Sequence, residues 1–174
     1  MTRPEVSIAR CQDYDLQNVR ASVKKTLNQL GGMKKFVKPG DTVLLKVNLL
    51  FPSKPDEAVT SHPNVVKALV EEIEAAGGKV IVGDSPGLTF TESRLKRTYE
   101  KCQMDKAIEG TNAELNWNTG KVMVSNPEGK LLKSLEVIEV LEKVDKVITV
   151  PKLKTHSFTT FTGGTKILYG VIPG

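Results

Sequence analysis

Two segments of this chain share one pattern, an amphipathic helix closed by a glycine pair and followed by a short apolar run. Leu16, Val19, Val23, Leu27 and Leu30 recur at three- and four-residue steps before Gly31-Gly32. Val65, Val66, Leu69, Val70, Ile73 and Ala76 do the same before Gly77-Gly78. The runs that follow are Thr42 to Leu50 (TVLLKVNLL) and Lys79 to Gly83 (KVIVG), both dense in branched residues. A strand, a helix and a second strand linked in this way cannot form a hairpin, because the intervening helix must cross over the sheet and return parallel. TVLLKVNLL has no polar alternation, which marks a central strand covered on both faces. The pattern predicts an α/β fold with a mostly parallel, doubly wound, Rossmann-like sheet.

The remaining segments fit that frame. Glu5 to Arg10 (EVSIAR) alternates as a first strand, and Asp13 or Asp15 caps the first helix. Thr60, Ser61, His62 and Pro63 open the second helix, with proline at its first turn. A third helix is expected from Thr91 or Glu92 to Gly110. Short strands are expected at Ala113 to Asn118, Lys121 to Ser125 and Lys130 to Leu135, the last two joined across Asn126-Pro127-Glu128-Gly129 as an antiparallel hairpin excursion. Val137 to Lys143 reads as a short helix or turn, and Lys146 to Val150 as the last strand. With 174 residues, residues 1–174 are expected to form one domain with a full core. No apolar run approaches the roughly 20 residues that span a bilayer, and no secretory leader pattern opens the chain, so a cytoplasmic protein without membrane contact is expected.

Charge and chemistry concentrate at one end. Lys146 to Gly174 holds four lysines and no carboxylate, although the whole chain carries a net charge of only +5. Lys152, Lys154, Thr155 and His156 follow the last strand and suit phosphate or carboxylate recognition, with His156 as proton donor or acceptor. Thr162, Gly163, Gly164 and Lys166 follow; they lack Walker A spacing, but a glycine pair leading into a helix can present N–H groups to an anion. Lys46 and Asn48 interrupt TVLLKVNLL. Lys46 is a cleft lysine for a ligand anion, one half of an ion pair with Asp84, or a surface lysine on an edge strand. Asp84 and Ser85, in the turn Asp84-Ser85-Pro86-Gly87, supply either a reactive carboxylate or a helix cap. Parallel sheets bind ligands beyond the carboxyl ends of their strands, and all of these residues map there.

Other classes are excluded or disfavoured. Cys11 and Cys102 allow neither a disulfide framework nor a four-thiolate metal site, and the two histidines have no zinc-type spacing, so no metal is assigned. Aromatic residues make up only 5% of the chain and no nucleic-acid signature is present, which argues against nucleic acid as partner.

VLLKVNLL (Val43 to Leu50), the block from Thr60 to Gly87 and VPKLKTHSFTTFTGGTKILYGVIPG (Val150 to Gly174) together resemble the family called domain of unknown function 362. The closing stretch is the most specific, with Lys152, Lys154, Thr155, His156, Thr162, Lys166, Tyr169 and Gly170 on the family pattern, while Ile167 stands where the family usually has asparagine. The family has no agreed activity. The resemblance implies that this chain is the N-terminal part of a longer, redox-associated protein, in a family that often carries a ferredoxin-like module with 4Fe-4S clusters; with two cysteines this chain is expected to hold no such cofactor itself. Two functions follow as expectations: a domain binding an anionic small molecule, or a non-catalytic scaffold whose basic edge docks an acidic partner such as that module. Whether the protein is an enzyme stays open at this level.

Overall fold

In the computed structural model, which describes residues 3–173, the expected parallel sheet is present with four strands. Helix α1 (Leu16–Gln29) begins where the Asp15 carboxylate accepts the N–H groups of Gln17 and Asn18. It ends where Gly31 turns to φ +98°, a left-handed conformation that costs glycine little, and the Gly32 N–H returns to the Leu27 carbonyl. Strand β1 (Thr42–Val47) then enters the core, with Val43, Leu44, Leu45 and Val47 fully buried. Helix α2 (Pro63–Ala75) carries the chain back to β2 (Lys79–Gly83), which pairs in parallel with β1 from Thr42 opposite Lys79 to Lys46 opposite Gly83.

Helices α3 (Glu92–Cys102) and α4 (Met104–Ile108) precede β3 (Glu114–Leu115), which pairs with β2 at one edge of the sheet. Strands β4 (Lys121–Ser125) and β5 (Ser134–Ile138) form the separate antiparallel hairpin. Strand β6 (Lys146–Val150) returns to the other side of β1 in parallel, giving the order β3-β2-β1-β6. A second small hairpin, β7 (Lys154–His156) with β8 (Thr160–Thr162), leads into a single helical turn α5 (Gly164–Ile167) and a 3-10 turn over Leu168–Val171. The core lies where Val66, Val70 and Ile73 of α2 and Leu95, Tyr99 and Cys102 of α3 pack with the buried β1 side chains.

Four expectations need correction. Glu5 to Arg10 is not a strand: it pairs with no other strand, and Val6 and Ile8 are 79% and 83% exposed. The segment lies along α1 instead, through Ser22 to the Arg10 carbonyl, Ser7 to Gln29 and Lys35 to Glu5. The helix expected to Gly110 breaks at Gln103, whose φ of +57° ends α3 and redirects Met104 and Ala107 into the core. Asn126 donates its backbone N–H to the Lys133 carbonyl and its side-chain amide to the Leu132 carbonyl, which widens the hairpin turn and moves β5 to 134–138. Strand β1 stops at Val47, so Asn48 lies just past its carboxyl end.

Candidate functional site

The carboxyl ends of β1, β2 and β6 meet in one crevice. Because β1 has β2 on one side and β6 on the other, its end is the switch point where parallel sheets leave room for a ligand. A cavity of about 250 Å³ lies there, lined among others by Lys46, Asn48, Asp84, Ser85, Lys152 and Lys166. Thr162 and Gly163 also reach it. Three lysines therefore face a single carboxylate.

That carboxylate is already taken. Lys46 and Asp84 are 1% and 3% exposed, and their side chains form a buried ion pair. The Lys46 ammonium also donates to the Val47 carbonyl at 3.1 Å, while Asp84 Oδ2 accepts the Leu49 N–H at 2.7 Å. Burial pushes the Asp84 carboxyl up, against the pull of Lys46 and of its backbone donors. Of the readings of Lys46, the ion pair is the observed one and lies on the wall of the cavity, while the surface reading fails because β1 is a central strand and Lys46 is buried. The cap reading of Asp84 is overturned: α3 starts at Glu92 behind Thr91, well past this turn.

The C-terminal turn closes one side of the crevice. The Gly170 carbonyl accepts from the Ser85 hydroxyl at 2.8 Å and from the Ser85 N–H at 3.3 Å. The Thr162 hydroxyl bridges the Lys152 and Lys154 carbonyls at 3.0 and 3.1 Å, tying the β7–β8 hairpin to the segment that follows β6. Ile167 is buried and supplies an apolar wall.

Four expected residues stand outside the cavity lining: Lys154, Thr155, His156 and Gly164. Lys154 turns away to bind the Val59 carbonyl. Its basicity is lowered by burial first and then by the ammonium of Lys166, so the positive charges here crowd one another. His156 Nδ1 accepts the N–H groups of Phe158 and Thr159, both at 3.1 Å, which makes the imidazole the keystone of the β7–β8 turn.

Two residues that sequence reasoning passed over shape the site. Ser61, fully buried, accepts the Asn48 N–H at 2.8 Å and donates to the Val150 carbonyl, tying the ends of β1 and β6 together. Only its place in the capping stretch before Pro63 hinted at it, and the cap itself is His62, whose Nδ1 accepts the Asn64 N–H at 3.2 Å. Tyr14 stacks on His62 with ring centroids 3.9 Å apart, and Lys152 reaches the Tyr14 hydroxyl at 2.9 Å. Burial and then the Lys152 charge hold the His62 imidazole below its usual range. The neutral form is therefore favoured by folding, so this stability is complete above pH 6.5 and is lost as pH falls toward the lowered value. Melting temperatures from pH 8 to pH 5 should fall more steeply for the wild type than for His62→Asn, which keeps a cap without a titrating ring. Parallel curves would remove His62 as the source.

A family model described as domain of unknown function (DUF362) matches residues 43–174. The chain belongs to this family. The match begins in β1 and takes in every residue that lines the cavity. Among curated proteins, this DUF362 chain is 36% identical over 170 residues to the thylakoid-associated protein sll1697 of Synechocystis sp.. The alignment covers 97% of this chain and 51% of that relative, so the chain spans about half the length of the relative it matches. No solved structure matches the chain. No helix among the described residues is long and apolar enough to cross a membrane. Among the described residues no group of three or more His, Cys, Asp or Glu side chains is placed to hold a metal ion. Cys11 is exposed and Cys102 buried in the core, so this chain's thiols do not fit a 4Fe-4S cluster.

Proposed function

We propose that the crevice binds a small anionic metabolite through Lys152 and Lys166, over a floor formed by the Lys46–Asp84 pair. One observation carries this reading: a recessed cavity at the switch point in which lysines outnumber the one, already neutralised, carboxylate. An anion there relieves the mutual repulsion among Lys152, Lys154 and Lys166, which adds to burial in lowering the Lys154 basicity. Asn48 sharpens the ligand class. Its Oδ1 is buried and meets no donor among the described residues, and an acceptor left so is costly. A ligand that carries a hydroxyl or N–H beside its phosphate or carboxylate satisfies both needs. The volume suits a small metabolite rather than a dinucleotide. His156 is left out of the binding set, because its ring nitrogen holds the hairpin turn.

Calorimetry with inorganic phosphate and with a series of small hydroxycarboxylates tests the reading. Lys152→Ala and Lys166→Ala should each weaken binding by about tenfold or more. Lys121→Ala, remote on the β4–β5 hairpin and paired with Glu136, should leave it unchanged. Equal affinities in all four proteins would remove the site. A second reading has the same basic stretch docking an acidic partner domain, and the exposed Leu153, Phe158 and Phe161 around it favour that contact. Partner binding would be abolished by moderate salt and would be insensitive to filling the cavity. A cytoplasmic setting and an iron–sulfur partner belong to this proposal through composition and family resemblance, the cluster residing in a separate module.

A further inference from the structure

Among the described residues the sheet has two edge strands of unequal length. Strand β3 at the far edge is two residues long, whereas β6 is five residues long and has β1 on one side and no strand on the other. A long strand edge without a bulge or proline along its length is a template for another strand. Beside it runs an apolar groove of about 430 Å³, formed by Leu27 and Leu30 of α1, Met33, Phe36, Leu69 of α2 and the β6 residues Val147 and Ile148. Phe36 and Val147 are each 41% exposed. The extended segment with Val6 and Ile8 borders the same face, since Ser7 binds Gln29 and Glu5 pairs with Lys35, neighbours of Leu30 and Phe36. An unpaired strand edge, an unfilled groove and an alternating segment with both apolar side chains in solvent thus share one face.

We infer that this face is an interface for a further α/β unit, the polypeptide corresponding to the part of the Synechocystis relative that this chain does not cover, which adds a parallel strand to β6. Two facts select that occupant. The relative carries about as much chain again as the 51% matched here. The order β3-β2-β1-β6 is that of the first four strands of a doubly wound sheet, whose fifth strand lies outside the fourth. The added unit fills the groove with a helix or loop and takes Val6 and Ile8 onto its own surface, so the alternating segment becomes a strand only in the joined protein.

The experiment compares this chain alone with a fusion to the uncovered part of the relative, placed on the side where the relative carries it. Val147→Cys in a Cys11→Ser background reports the edge by maleimide labelling, and hydrogen exchange reports the β6 amides. In the fusion, labelling and exchange of residues 146–150 should slow by about tenfold or more, with new protection at residues 5–10. Phe36→Asp should leave the melting temperature of the single chain unchanged and lower that of the fusion. Labelling as fast in the fusion as in the single chain overturns the inference, whether the added part folds elsewhere or fails to fold on this edge. Protection of β6 that appears in the single chain with rising concentration also overturns it, because the occupant is then a second copy.

Discussion

Lys46→Met lowers the stability of this protein by about 3–5 kcal/mol, whereas Lys46→Met combined with Asp84→Leu leaves stability unchanged or raises it. The reason is the asymmetry of buried charge. Both side chains are almost wholly removed from water, so their mutual attraction largely offsets the cost of desolvating them. Removing the ammonium alone leaves the Asp84 carboxylate buried with only the backbone N–H groups of Leu49 and Ser85 for company. The fold then either protonates Asp84 or opens to hydrate it. Removing both charges removes the debt on both sides, and methionine conserves the lysine volume within β1. Urea midpoints at constant slope read the difference. A single variant as stable as the wild type would show that the pair is hydrated and the crevice more open than described. The double variant has a further use. A fold that keeps its stability but loses anion binding identifies the pair as a device of the site, retained at no benefit to stability.

The second large effect is expected at Gly170. A Cβ on this residue would stand 2.6 Å from Lys46 Nζ and 2.8 Å from Asp84 Oδ1. The backbone there has φ −77°, open to any residue, so the requirement is steric and electrostatic. A methyl group would press on two charged atoms that cannot retreat, since Lys46 is held by the Val47 carbonyl and Asp84 by the Leu49 N–H. Gly170→Ala therefore displaces the 3-10 turn over Leu168–Val171, breaks the two bonds from Ser85 to the Gly170 carbonyl and removes one wall of the cavity. Overpacking of this kind costs about 1–3 kcal/mol. Binding of the anion should fall more than stability does, because the wall goes while the sheet stays. The comparison is between calorimetric affinity and urea midpoint, and an alanine variant with wild-type affinity would show that the turn is not part of the site.

Much of this architecture is legible in the amino acids. The glycine pairs after Leu30 and Ala76, the Asp15 cap and the fully apolar phase of β1 are local signals, and each produced the element expected of it. Lys46 was legible as an anomaly, because an ammonium in a buried strand demands a partner, and the ion pair with Asp84 was one of the readings left open. Other features resisted reading for a common reason. The alternation in Glu5 to Arg10 is a true strand pattern, but a strand exists only with a neighbour, and none lies beside it. Gln103 has no local reason to break a helix; the core position of Met104 and Ala107 imposes the turn. His156 looked like chemistry by its neighbours in sequence, yet its ring nitrogen is spent on two backbone N–H groups of a hairpin whose pairing is not encoded nearby.

The division between the two levels follows from the range of the forces involved. Hydrophobic period, capping and glycine conformations act over a few residues, so the sequence alone determined that this is a parallel α/β chain with its polar residues at the strand ends. Which of those residues share a cavity depends on the rotation of each strand and the path of each loop, and these follow from packing between segments up to a hundred residues apart. Tertiary structure alone therefore decided that Lys152 and Lys166 line one cavity with the Lys46–Asp84 pair, that Ser61 ties β1 to β6, and that Lys154 and His156 stand outside the lining.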